Sequence, residues 1–196
     1  VFESCKDLPV KFWGFKDVGL PKDQMRQLIG AMKAAGKTTF LEVVSYSEEE
    51  CMAGAKLAVE MGFDYLMGTV YHQSVFEYLA TQKISFLPFC GTVYGSPSVL
   101  EGSFQEIIDD AKGLLAKGVS GIDLLAFRHQ DGAGLARAYC QQIDKPVVIA
   151  GSINPHVSTS STRSTLGPLP WAPRCSRRTS PKARASARIC RLLWIT

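Results

Sequence analysis

The last forty residues of this 196-residue chain contain no aspartate and no glutamate. All 18 acids lie in residues 1–156, beside 14 Lys and Arg, a balance of −4; residues 157–196 carry 8 cations and no acid, a balance of +8. The overall charge of +4 therefore conceals a mildly acidic body, which does not suit a polyanion such as nucleic acid, and a basic tail. Also missing is any CxxC pair. Cys5, Cys51, Cys90, Cys140, Cys175 and Cys190 are widely and irregularly spaced, which argues against a zinc site or a disulfide framework and for free thiols in a reducing cytoplasm. Only three histidines occur, His72, His129 and His156, with no metal-ligand spacing. No apolar run approaches the roughly 18 residues of a membrane span. The first twenty residues, with Glu3, Lys6, Asp7, Lys11, Lys16 and Asp17, hold no apolar stretch of signal-peptide type.

What remains is an ordinary globular composition, 46% hydrophobic and 20% charged, in a length that suits one domain. Short apolar runs recur at 11–15, 39–44, 65–67, 84–89, 122–127 and 147–150. They do not alternate with polar residues, which is the pattern of parallel strands buried on both faces. Helical patterns lie between them. Met25, Leu28, Ile29, Met32 and Ala35 share one helix face and are closed by Gly36; Phe104, Ile107, Ile108, Ala111 and Leu115 repeat the pattern before Gly118. Ser47 and Glu50 have capping-box spacing at the head of a third helix that Gly62 ends. The stretch 97–102 reads as a longer loop. Strand, helix and glycine in units of 20–35 residues indicate a parallel α/β sheet. The place after the first strand is Lys16-Asp17-Val18-Gly19-Leu20-Pro21, without the glycine-rich phosphate loop of a doubly wound sheet, so a (β/α)₈ barrel is the expectation.

Lys145-Pro-Val-Val-Ile-Ala-Gly-Ser-Ile-Asn154 resembles the seventh strand of the ribulose-phosphate-binding barrels, whose strand-end glycine and following residues give backbone N–H groups to a phosphate. Gly14–Pro21, Leu41–Ser45, Pro97–Ser103 and Gly121–Arg128 resemble a group of uncharacterised bacterial barrel proteins, some labelled 4-hydroxythreonine-4-phosphate dehydrogenase. The resemblance covers residues 11 to about 154. The authentic dehydrogenase has a different fold, a His-bound metal and a nicotinamide site, and this chain shows no spacing for either ligand. Aligned on these relatives, Gly14–Pro21 follows the second strand. The implied architecture is an incomplete TIM barrel lacking its first βα unit, which agrees with a start at Val1, and with its eighth strand lost in the tail.

In such a barrel the residues past the strand C-termini face the site. They are Lys16 and Asp17, Glu42 and Ser45, Gly68 and Thr69, Arg128, and Gly151 and Ser152, with Asp123 lower on its strand. Lys16 can serve as general acid, Schiff-base nucleophile or phosphate contact, or it can brace the fold in an ion pair. Gly14 replaces the leading acid of the Asp-x-Lys-x-x-Asp pattern of orotidine-phosphate decarboxylases, so that mechanism does not carry over. Glu42, an acid inside an apolar strand, needs a partner, and Lys16 on the next strand suits it as base or as brace. Asp123 is similar. Arg128 reads as an anion contact or a solvated loop cation. Gly102 and Ser103 form an anion site at a helix N-terminus or an ordinary cap. Gly151 and Ser152 are the main phosphate candidates.

Residues 157–196, with twelve Ser or Thr, four Pro and no apolar strand before Leu192, read as out-of-frame translation of a GC-rich gene. Back-translation with GC-rich codons, read two nucleotides later, can regenerate Gly-Thr-Ala-Leu-Phe-Glu, an eighth-strand phosphate motif, followed by an amphipathic helix. On this reading 1–156 is the barrel body and 157–196 supplies no strand in register. A genuine tail would instead be an arm for nucleic acid.

The functional expectation is a bacterial, cytoplasmic lyase or isomerase that moves protons on a small phosphorylated sugar or keto acid. Lys16 and Glu42 are the acid–base pair, Asp17 the orienting residue, Asp123 a further catalytic candidate, and no organic cofactor is implied. Mg²⁺ on Asp17 or Glu42 and assembly into a homo-oligomer stay open. The alternatives are a regulatory barrel that senses a phosphometabolite, as the glycerol-phosphate-responsive antiterminators do, and an oxidoreductase as that label states.

Overall fold

The computed structural model describes residues 2–151 and a short strand at 192–194. After a first helical turn, α1 (Phe2–Cys5), the chain alternates β1 (Phe12–Lys16), α2 (Lys22–Ala34), β2 (Thr38–Ser45), α3 (Glu48–Met61), β3 (Tyr65–Thr69), α4 (Gln73–Gln82) and β4 (Ser85–Leu87). A hairpin of β5 (Thr92–Tyr94) and β6 (Val99–Glu101) interrupts the rhythm before α5 (Phe104–Ala116), β7 (Ile122–Leu124), a 3₁₀ turn at Ala126–Arg128, α6 (Gly132–Gln142) and β8 (Val147–Ile149). The last strand, β9, is Leu192–Trp194.

The punctuation is the expected chemistry. The Ser47 side chain accepts from the amide of Glu50 to cap α3, and Gly62 takes the left-handed conformation that ends it. Ser103 and Glu106 form a full capping box on α5. Differences arise where local pattern is weak. The run 122–127 stops as a strand at Leu124 and turns into the 3₁₀ segment. The loop read at 97–102 contains half of a hairpin whose strands alternate exposed and buried residues, period two around Gly95-Ser-Pro-Ser98.

Strands β1 to β4 follow one another in chain order in one parallel sheet that β9 extends beside β1, and β7 pairs parallel with β8. A bridge from Phe89 to Asp123 and the bonds Asp123 N to Pro88 O and Ser120 N to Phe86 O bring β7 alongside β4. The helices cover one face. Met25, Ile29, Met32, Ala55, Ala58, Leu79, Ile107 and Leu135 pack in one cluster with Trp13, Phe15, Leu41, Leu66, Phe86 and Ile122 from the strands. The opposite face carries a separate cluster built only from strands: Phe40, Met67, Leu87 and Val148, flanked by Phe12 and Tyr65. Val148 on β8 joins residues of β2 and β3 there, so the sheet curls toward this inner face. A doubly wound sheet would place helices on both faces and reverse its strand order, and neither occurs among the described residues. The fold is thus an α/β fold on a curled parallel sheet; among the described residues β8 and β9 do not pair and no closed barrel forms.

One expectation about the tail is corrected. Leu192–Trp194 adds a parallel strand to β1, with Leu192 opposite Phe12 and Trp194 opposite Gly14. The exposed N–H and C=O row of β1 is a template that any short extended segment can satisfy. The rest of the tail lies outside the described residues. No described helix is long and apolar enough to cross a membrane.

Candidate active site

The C-terminal end of the inner face gathers the charged groups. Register places Lys16 opposite Glu42, and the Asp17 amide continues the ladder by donating to the Glu42 carbonyl at 3.1 Å. Phe40 packs on the inner face, so the two-residue period of β2 turns Glu42 to the same side. Lys16 Nζ lies 3.9 Å from Glu42 Oε2, a loose ion pair whose lysine is half exposed and whose glutamate is nearly covered. Room for Glu42 comes from Gly68. Its φ of +90° suits glycine, and a Cβ there would sit 2.9 Å from Glu42 Cγ.

Asp123 reaches the same face through β7, paired with the inner-face residue Val148. It is fully buried, and neither carboxyl oxygen has a hydrogen-bond partner. Burial pushes its carboxyl well above the usual range; the charge of Glu42 adds to the effect and Lys16 opposes it. Burial also raises Glu42, against Lys16 and with Asp17. Asp17 is raised by burial, offset by its backbone hydrogen bond and by Lys16. Cys90, just past β4, is buried beside this group, and its thiol is pushed up by burial and by the charges of Asp110 and Asp123. The sequence marked Cys90 only as a free thiol; its place directly after a strand was the available signal.

The phosphate candidates meet at the β7–β8 end. Gly151 has φ +104°, and a Cβ there would lie 2.9 Å from the Arg128 amide nitrogen and 3.0 Å from Arg128 Cγ, so the arginine stem lies against this glycine. Phe127 N donates to Ala150 O at 3.1 Å and fixes the two segments together. Next to Arg128, His129 accepts from the Asp131 amide at Nδ1, which leaves the ring proton on Nε2 for the Gly102 carbonyl at 3.0 Å. Gly102 and Ser103 thus approach Arg128, but the Ser103 amide and hydroxyl both donate to Glu106 Oε2 at 2.7 Å. Those two donors cap α5 and are not free for an external anion. Ser152 lies outside the described residues.

Other strand-end residues have structural roles. Thr69 is buried beside Cys51, whose thiol contacts the Ser45 carbonyl and is pushed up to about 11 by burial. Tyr46 donates to Gly95 O at 2.8 Å and meets Ser98 Oγ at 2.8 Å, while His72 Nε2 reaches Tyr46 O. These bonds tie the β5–β6 hairpin to the end of β2, a role that the spacing of the histidines did not show. No group of three or more His, Cys, Asp or Glu is arranged to hold a metal ion among the described residues.

The arrangement defines a class: a parallel α/β sheet with an ionisable cluster at its strand C-termini. No family model matches the chain, and no curated protein matches it. Among solved structures it is similar to the M276A mutant of FabK from Thermotoga maritima, at 11% identity and a TM-score of 0.46, over 74% of this chain and 46% of that one. The chain thus spans about half the length of that neighbour.

Proposed function

We propose that this chain is an incomplete (β/α)₈ barrel of the ribulose-phosphate-binding kind, and that it acts as a lyase or isomerase on a small phosphorylated sugar or keto acid by proton transfer. One observation carries the reading: Lys16 at the end of β1 lies against Glu42 of β2 on the inner face, with the buried Asp123 lower on β7 on the same face, toward the strand C-termini where open α/β sheets and barrels hold their ligands. Single-file helices on the outer face and chain-order strands support the barrel. The nearness of Arg128 to Gly151 supports a phosphate at that end.

In this mechanism Arg128 and the amides around Gly151 and Ser152 hold the phosphate, and Glu42 removes a proton from the carbon next to a carbonyl. Lys16, half exposed beside Glu42, protonates or electrostatically supports the oxygen on which charge develops, and Asp17 orients it. Asp17 or Glu42 is the carboxylate that would hold a Mg²⁺, which would supply electrostatic stabilisation of the developing charge. The test is a thermal-shift screen with phosphorylated metabolites on the wild type, Arg128→Ala and Lys16→Met. Protection of the wild type that weakens in Arg128→Ala supports the phosphate site. Turnover that vanishes in Lys16→Met while protection stays supports catalysis. Absence of protection by any phosphorylated compound overturns the reading.

A further inference from the structure

Arg128 is half-buried, and among the described residues its guanidinium has no hydrogen-bond or ion-pair partner. Its stem lies against Gly151, where an added Cβ would stand 3.0 Å from Arg128 Cγ. The turn that carries it is short. Ala126–Arg128 is a single 3₁₀ turn, closed by Arg128 N to Leu125 O at 2.9 Å and His129 N to Ala126 O at 3.0 Å. A lone turn of this kind has poor hydrogen-bond geometry and holds its direction weakly. The next residue supplies a further anchor. His129 Nδ1 accepts from the Asp131 amide at 3.1 Å, and Nε2 donates to the Gly102 carbonyl at 3.0 Å. Asp131 caps α6 by accepting from the Gly134 amide, and Gly102 directly precedes Ser103, the cap of α5. The Phe104 ring stands beside the imidazole, with centroids 5.4 Å apart. With both nitrogens bonded, the ring is fixed in one tautomer and one orientation. It cross-links the heads of α5 and α6 immediately beside Arg128.

We propose that His129 is a positioning residue of the anion site: its bond to Gly102 holds the turn after β7 against the head of α5 and so keeps Arg128 lodged beside Gly151. Both nitrogens of His129 are engaged within the chain, so it neither touches the ligand nor moves a proton. This rests on the reading of Arg128 and Gly151 as the phosphate end, and it says how that end is kept ready. An arginine binds an oxyanion through a planar fork, so its direction matters as well as its charge. A ligand that needs one orientation binds more weakly in proportion to the fraction of molecules that hold it. If loss of the Gly102 bond leaves the turn in place about a tenth of the time, phosphate affinity falls about tenfold with the charge of the site unchanged.

Calorimetry with inorganic phosphate on the full chain compares the wild type, Arg128→Ala, His129→Asn and His129→Gln. Asparagine places a carbonyl where Nδ1 stands and keeps the Asp131 bond, but it is too short for Gly102. Glutamine carries an amide N–H to about the reach of Nε2 and restores the Gly102 bond. Binding should vanish in Arg128→Ala, weaken about tenfold in His129→Asn and stay within about twofold of the wild type in His129→Gln. A merely structural histidine would alter urea unfolding without splitting the two variants in affinity. Phosphate binding unchanged in His129→Asn, or equally weakened in both variants, overturns the positioning role and leaves the phosphate site standing. A second measurement needs no ligand. Nitrogen-15 NMR should show the wild-type ring proton on Nε2 and an Arg128 amide as ordered as those of β7, and His129→Asn should lower the order at Arg128 while β7 keeps its own. A proton on Nδ1, or unchanged order at Arg128 in His129→Asn, overturns the proposal whether or not phosphate binds. A wild type that binds no phosphate, with the NMR as expected, removes the phosphate end and leaves His129 as the anchor of Arg128.

Discussion

Replacing Gly68 with alanine tests the packing that gives Glu42 its place. The backbone there has φ +90°, a region that costs an alanine about 1–2 kcal/mol. The new methyl would stand 2.9 Å from Glu42 Cγ, 3.1 Å from Val43 O and 3.3 Å from Val43 N. Glu42 can swing away, but the Val43 backbone, inside β2, yields less than a side chain, so crowding adds about 1–3 kcal/mol. The expected loss is about 2–5 kcal/mol, or a fall in Tm on the order of 4–20 °C for a chain of this size. Urea unfolding of Gly68→Ala measures it. Gly30→Ala is the reference: Gly30 lies in α2 with nothing within 4 Å of its would-be Cβ, and alanine there should stabilise by about 0.5–1 kcal/mol. The Glu42 carboxyl resonance should also move in Gly68→Ala and stay put in Gly30→Ala. A loss under about 1 kcal/mol with an unmoved Glu42 resonance would refute the close approach of β3 to the Glu42 stem.

Lys16→Met should change stability by less than about 0.5 kcal/mol, because the pair with Glu42 is long and half exposed, yet raise the Glu42 titration midpoint, since Lys16 favours the ionised form; carboxyl NMR and urea unfolding read the two effects. The Asp123 carboxyl is raised in the folded state, so its contribution to stability is complete below the unfolded value and is lost as pH rises through the folded one. Asp123→Asn, measured against the wild type by denaturation from acid to neutral pH, should remove a slope approaching about 1.4 kcal/mol per pH unit, and a pH-independent difference between the two would contradict a protonated Asp123. Ser103→Ala should cost about 1 kcal/mol in urea unfolding through loss of the α5 cap, without weakening the binding of inorganic phosphate; weaker phosphate binding would return Ser103 to the anion site.

The sequence by itself determined the alternation of strands and helices and most of their limits. Apolar runs without alternation, Ser47 and Ser103 as caps and Gly62 as a stop are local signals, because each depends on neighbours within about four residues. It also marked Lys16, Glu42, Asp123, Arg128 and Gly151, since charge inside apolar strands and glycine at strand ends need a reason. The hairpin at 92–101 and the strand at Leu192–Trp194 were poorly legible, as three-residue strands carry almost no periodicity and exist through the partners they find. Only the tertiary structure decided which marked residues meet. The register of β1 on β2 set Lys16 against Glu42, and the positive φ of Gly68 within β3 gave the glutamate its space. The curl of the sheet brought Val148, the ladder partner of Asp123, into one cluster with Phe40 and Met67 of β2 and β3, while Glu106 took the donors of Ser103. Those outcomes depend on contacts far apart in the chain, whose energies come from packing and burial that no local pattern records.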